Sequence, residues 1–222
     1  MPPEPRRRAC RKMLHVLFSH DDEIRRKYPV VAGLDEAGRG PLAGPVVAAA
    51  VVLPPGLTIE GLRDSKKIAE KERKEVFWHI VRCAVAVGVG IVTAEEIDRT
   101  NILRSTKRAM EIALEDLGIR PDILLIDAVQ LPHIDIPQHS IIRGESASAS
   151  IAAASVVAKV VRDDIMLDYH EKYPAYNFKA HKGYSTRQHM EMLRAYGPCP
   201  IHRKSFSRVM DVQPSLDYGL KD

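Results

Sequence analysis

Short, almost purely apolar runs alternate along this chain with longer segments in which apolar residues recur at three- and four-residue spacing, the pattern of strands alternating with helices. The first run begins at Val30 and closes on two adjacent carboxylates, Asp35 and Glu36. A glycine- and proline-rich loop from Gly38 to Gly44 separates it from a second apolar run, Val46 to Leu53. After a loop at Pro54 to Thr58, Val76, Phe77, Ile80 and Val81 fall on one face of a predicted helix. Ala84 to Val92 reads as a third strand, with Gly88 and Gly90 marking places of close approach. Thr93 and Glu96 form a capping box for a short helix, and Asn101 caps a longer one that stops at Gly118. Asp122 to Val129 is a buried-type strand interrupted near its end by Asp127, and His139 to Ile142 is a short further strand. A polar, serine-rich turn from Arg143 to Ser150 precedes a helix that runs to Pro174, with small residues that suit close packing on a sheet. The remainder, Tyr176 to Phe206, is dense in Lys, Arg, His, Tyr and Ser; it holds one more helix, capped by Ser185 or Thr186 and ended by Gly197 and Pro198, and reads as a contact surface.

Composition narrows the class. With 222 residues, 45% of them hydrophobic and 28% charged, the chain is long enough for one catalytic domain, expected over residues 28–222. Residues 1–27 read as a charged, frayed N-terminal extension whose Arg6, Arg7, Arg8, Arg11 and Lys12 form a solvated run. A formal charge of +4 suits a polyanionic partner without requiring one. Cys10, Cys83 and Cys199 are odd in number and lack metal-site spacing, which fits a reducing cytoplasm. No secretion signal or membrane span is legible, so a soluble cytoplasmic monomer is expected.

The candidate chemistry lies in the acids. Asp35, Glu36 and Asp127 stand at strand ends, where an ionised group is costly unless it is paired, hydrogen-bonded or metal-bound. Helix geometry lets at most one of Asp163 and Asp164 face a site and leaves the choice open. The resulting all-oxygen set suits Mg²⁺ or Mn²⁺, while the histidines lack zinc-type spacing. The chemistry that uses such a set is two-ion phosphodiester hydrolysis. One difficulty is that adjacent strand residues point to opposite faces, so Asp35 and Glu36 share a site only if the strand ends or bends there. The loop reads GxGxxxG and leads into a strand, which excludes a dinucleotide-binding turn.

The segments GLDEAGRGPLAGPVVAAAV, RDSKKI, LLIDAV, SASIAAASVVAKVVRD, and HKGYSTRQH followed by GPCPIHRKSF resemble, in order, the type 2 ribonucleases H and most closely their bacterial ribonuclease HII branch. The resemblance implies an α/β RNase H-like fold: a mixed five-stranded sheet flanked by helices, with a helical C-terminal part. It implies a metal-dependent endonuclease that cuts RNA in RNA–DNA hybrids and cuts 5′ to a lone ribonucleotide in duplex DNA, leaving 3′-hydroxyl and 5′-phosphate ends. It assigns the metal-site acids to Asp35, Glu36, Asp127 and Asp163. It also assigns ribose recognition to Gly38, Arg39 and Gly40, sugar stacking to Tyr184, and phosphate contacts to Lys66, His202, Arg203 and Ser205. Two departures touch substrate fit: Ser185 follows the tyrosine, and Arg143-Gly144-Glu145 stands where the family often has Lys-Gly-Asp. The absence of a large domain before residue 28 separates the chain from the type 3 relative. A replication-clamp contact would need a short terminal motif, and none is clear. The rival readings are a non-catalytic hybrid-binding module, which a replaced acid would favour, and a general nuclease acting on DNA, against which the Gly38–Gly40 loop and Tyr184 speak.

Overall fold

A computed structural model describes residues 16–63, 65 and 68–211. Five strands form one sheet in the order β3-β2-β1-β4-β5: β1 Val31–Ala37, β2 Val46–Val52, β3 Ala86–Val92, β4 Ile123–Asp127 and β5 Gln138–Ile141. The first three are antiparallel neighbours, whereas β1–β4 and β4–β5 are parallel. The expected mixed sheet is therefore present.

One face of the sheet packs on α4 (Ile102–Asp116), where Ala48, Ala50 and Leu34 meet Ala109, Met110 and Ala113. Gly88 and Gly90 serve this contact, because a Cβ on either would run into the backbone carbonyls of Ala113 and Ala109. The Thr93–Glu96 capping box starts α3 (Ala94–Arg99), and Asn101 caps α4 through the Arg104 N–H. The opposite face packs on the 24-residue α5 (Ala149–Lys172), which α2 (Glu70–Cys83) flanks. On α2, Val76 and Ile80 are buried as expected, but Val81 turns outward.

Three short helices, α6 (Phe178–His181), α7 (Arg187–Tyr196) and α8 (Ser207–Met210), build a separate small core around Tyr176, Phe178 and Leu193. Thr186, rather than Ser185, caps α7, and Gly197 ends it.

The frayed-extension reading fails over its described part. Residues 16–25 form a helix, α1, whose Leu17 and Phe18 enter the core beside α5. Asp21 is fully buried and accepts a hydrogen bond from the Ser150 N–H at 2.7 Å, so it caps the first turn of α5 from a distant part of the chain. Apolar residues were frequent enough there to bury a face, but the dense charge obscured them. The basic cluster at Arg6 to Lys12 lies outside the described residues.

Candidate active site

The pleat settles how the acids are presented. Asp35 opposes Ala49, on the face covered by α5, and Glu36 opposes Ala48, on the face covered by α4. β1 stays paired through Ala37, so the strand does not end at the carboxylates, and the two point to opposite sides of it. β4 is the parallel neighbour, with Leu34 beside Ile126, which brings Asp127 up next to Asp35. Burial, then the charges of Glu36 and Asp127, push the Asp35 carboxyl well above the usual carboxylate range, against hydrogen bonds from Ser155 and from the Glu36 N–H. Ser155 in turn lies 2.9 Å from the Ser65 hydroxyl. Asp35 thus lies in the field of two further acids, Glu36 and Asp127.

Asp163 is set apart from that spot. The helix α5 lies along β1, with Gly33 against Ser150 and Ile151 and Gly38 against Arg162. Ser155 is therefore level with Asp35, and Asp163 lies roughly 12 Å farther along the helix axis at 1.5 Å per residue. Its carboxylate is buried between Lys159 Nζ at 2.6 Å and Arg73 Nη1 at 3.4 Å. Asp164 is half exposed and paired with Lys74. Helix geometry had left these two open; burial favours Asp163, but as the centre of an ion-pair triad.

The acid next to Asp127 is instead Glu145. The Gly144 N–H donates to Asp127 Oδ1 at 2.8 Å, which places the following residue beside it, and one carboxylate oxygen of Glu145 is buried with no hydrogen-bond partner among the described residues. In the sequence this position stands out only as a departure in charge pattern, Arg143-Gly144-Glu145 for Lys-Gly-Asp. The available signal is a lone acid in the polar turn that follows β5, the parallel neighbour of the Asp127 strand.

The Gly38–Pro45 loop is held from below. Arg203 is fully buried; it donates from Nε and Nη2 to Gly44 O, from Nη1 to Arg39 O and from Nη2 to Gly38 O. This corrects the expected phosphate contact, since every nitrogen of that guanidinium is already committed to a loop carbonyl. His202 is buried as well: its Nδ1 accepts from the Cys199 N–H at 2.9 Å, so Nε2 carries the proton and donates to His189 Nε2 at 3.0 Å. His189 Nδ1–H then donates to Tyr184 O at 2.9 Å. Burial lowers both histidines to about 4, so they are neutral at physiological pH and His202 is no phosphate ligand. The Ser205 hydroxyl donates to Asp98 at 2.6 Å and its N–H donates to the same carboxylate, which removes the proton a phosphate would need. Lys66 lies outside the described residues.

What remains presented outward is Arg39, Gly40 and Tyr184. Arg39 is exposed and 3.4 Å from Glu36. Gly40 is exposed, and a Cβ there would meet nothing within 4 Å. Tyr184 is 41% exposed, its ring over Arg162 and Lys159. The Leu42 N–H donates to Gly183 O at 2.8 Å, joining the loop to the tyrosine segment.

Comparison with known proteins shows the family. The family model described as Ribonuclease HII matches residues 32–209. The chain belongs to the ribonuclease HII family. It is 51% identical over 197 residues to the ribonuclease HII of Acetivibrio thermocellus, covering 89% of this chain and 77% of that protein. Among solved structures it is similar to the ribonuclease H2 of Pyrococcus horikoshii OT3, with a TM-score of 0.71 and 26% identity over 82% of this chain and 96% of that one. Bst-RNase HIII in complex with Mn²⁺ shares the fold at a TM-score of 0.59 and 20% identity, over 82% of this chain and 68% of that one.

As a ribonuclease HII family member the chain is a ribonuclease H, a hydrolase of the endonuclease class. The family is divalent-metal dependent. Among the described residues no group of three or more His, Cys, Asp or Glu side chains is placed to hold a metal ion. The donor chemistry nevertheless fits a hard cation: Asp35, Glu36, Asp127 and Glu145 are all-oxygen, the charges of Glu36 and Asp127 bear on Asp35, and one buried oxygen of Glu145 has no hydrogen-bond partner among the described residues. Among the described residues no helix is long and apolar enough to cross a membrane.

Proposed function

We propose that this chain hydrolyses the RNA strand of RNA–DNA hybrids and cuts 5′ to single ribonucleotides in duplex DNA, leaving 3′-hydroxyl and 5′-phosphate ends. The observation that carries the reading is the pairing of a crowded carboxylate cluster with an adjacent loop whose Gly40 faces open space. A glycine that needs neither positive φ nor packing room is explained by a ligand approaching the backbone. The 2′-hydroxyl is the group that distinguishes RNA from DNA at one position, and Gly38, Arg39 and Gly40 are suited to meet it through backbone. Tyr184 offers an exposed ring against which the neighbouring sugar can rest.

Asp35, Glu36, Asp127 and Glu145 would hold Mg²⁺ or Mn²⁺. A bound divalent ion supplies Lewis acidity and a nucleophilic water at neutral pH. The protein supplies the remainder. Ser155 and the Glu36 N–H fix the Asp35 carboxylate, the Gly144 N–H fixes that of Asp127, and the loop orients the strand to be cut. Duplex phosphates are left to exposed cations, which position without reading sequence.

The test is cleavage of a labelled duplex carrying one ribonucleotide, beside an all-DNA control, with Mg²⁺, Mn²⁺ or chelator. A single metal-dependent cut 5′ to the ribonucleotide with the control intact is expected. Binding without cutting would reject hydrolysis, and cutting of both duplexes would reject readout of the 2′-hydroxyl.

A further inference from the structure

Arg162 directly precedes Asp163 on α5 and is completely buried. Its Nε donates to Pro45 O at 3.0 Å and its Nη2 to Ala43 O at 3.1 Å. A Cβ on Gly38 would run into the Nε and Cδ of this same side chain, and Gly38 has a φ of 98°. The first glycine of the loop therefore makes room for the guanidinium beneath it, in contrast to Gly40. On its other side the guanidinium carbon lies 5.7 Å from the centroid of the Tyr184 ring, within cation–π range. Its Nη1 is buried and has no acceptor among the described residues, which an arginine kept for packing alone would not ordinarily tolerate.

We propose that Arg162 is a positioning residue for ribonucleotide recognition, one planar guanidinium that lies under both the Gly38–Pro45 loop and Tyr184 and fixes the gap between them. The inference rests on the reading of Gly38–Gly40 and Tyr184 as the ribose-recognition elements. Arg203 ties the same loop from another direction but stacks on Phe206, whereas the Arg162 guanidinium meets both the loop carbonyls and the Tyr184 ring. Lysine is no substitute. A flexible point charge cannot bond two carbonyls at fixed angles and present a flat face to a ring.

The test compares wild type with Arg162→Lys on the single-ribonucleotide duplex. Single-turnover cutting is measured with Mg²⁺, duplex affinity by anisotropy in chelator, and amide exchange over residues 38–45 beside thermal melting. The expected result is a cutting rate lowered by about tenfold to a hundredfold through misplacement of the scissile phosphate. Affinity should stay within about threefold, because phosphate contacts elsewhere carry most of the binding. Loop amides should exchange faster while the molecule stays folded at the assay temperature. A folded Arg162→Lys variant that cuts at the wild-type rate overturns the proposal, as does a proportional fall in cutting and binding. Should the variant unfold, Gly38→Ala drives the guanidinium aside with a methyl group and should give the same split; wild-type cutting by a folded Gly38→Ala overturns the proposal equally. A wild-type protein that leaves this duplex intact instead rejects the underlying functional reading.

Discussion

Asp21 should be worth more to stability than any other carboxylate in the N-terminal segment, and worth nothing to catalysis. Its Oδ2 accepts from the Ser150 N–H at 2.7 Å, one of the orphan donors of a 24-residue helix that carries Ser155 to the level of Asp35. Asp21→Ala removes a charge-assisted hydrogen bond, strands a buried N–H, and takes a negative charge from a helix N-terminus. Together these cost about 3 kcal/mol. For a domain of this size that lowers the melting temperature by roughly 6–12 °C. Asp21→Asn keeps an acceptor oxygen and loses only the charge, at about 1 kcal/mol. Thermal melts of the three proteins at pH 7 would order them wild type, Asn, Ala. Cutting rates per folded molecule at 25 °C should match. An Asp21→Ala variant that melts with wild type would refute capping from α1, and one that melts normally but fails to cut would give Asp21 a role nothing in its surroundings supplies.

Four further outcomes follow from the site. Asp127→Asn and Glu145→Gln should each lower Mg²⁺ affinity by calorimetry and cutting by more than about tenfold, whereas Asp163→Asn should leave Mg²⁺ affinity unchanged; weaker Mg²⁺ binding in the Asp163 variant would return that residue to the ligand set. Asp35→Asn should abolish cutting yet raise the melting temperature of metal-free protein at pH 8. The folded carboxyl titrates above its unfolded value, so its contribution to stability is full below the unfolded pKa and is lost as pH rises through the folded one. Conversely His189 and His202, lowered to about 4, contribute stability that is full above about 6.5 and lost as pH falls toward 4. Melting in the Asp35→Asn background should therefore fall across that window, and a flat profile would refute their burial as neutral groups. Tyr184→Ala should slow cutting at a lone ribonucleotide, an effect that single-turnover rates would reveal or deny.

What the chain discloses about itself divides along a physical line. Strands and capped helices are local: the capping box at Thr93, the Asn101 cap and the apolar runs each carry their cause within a few residues, and all appear where their patterns place them. The acids of β1 and β4 are nearly as legible, because a carboxylate in an apolar run has few cheap explanations. Asp163 and Glu145 are different. Which acid stands beside Asp127 depends on how α5 is laid along β1, and one strand residue spans about twice the length of one helix residue. The contacts of Gly33 with Ser150 and of Gly38 with Arg162 reveal that Ser155, and not Asp163, is level with Asp35.

The same distinction explains His202 and Arg203. A tail rich in Lys, Arg and His invites a phosphate reading, yet the nearer hydrogen-bond acceptor is the backbone itself. The Gly38–Pro45 loop contains Pro41 and Pro45, which have no N–H to give, and its carbonyls leave the ladder where β1 ends. Buried carbonyls need donors, and Arg203 satisfies those of Gly38, Arg39 and Gly44 while Arg162 satisfies those of Ala43 and Pro45. The loop's buried carbonyls are anchored inward, and side-chain cations from two distant segments supply that anchorage. Arginine near a glycine-proline loop is accordingly as much a sign of a backbone needing donors as of a phosphate needing charge. At these two positions burial decides for the backbone.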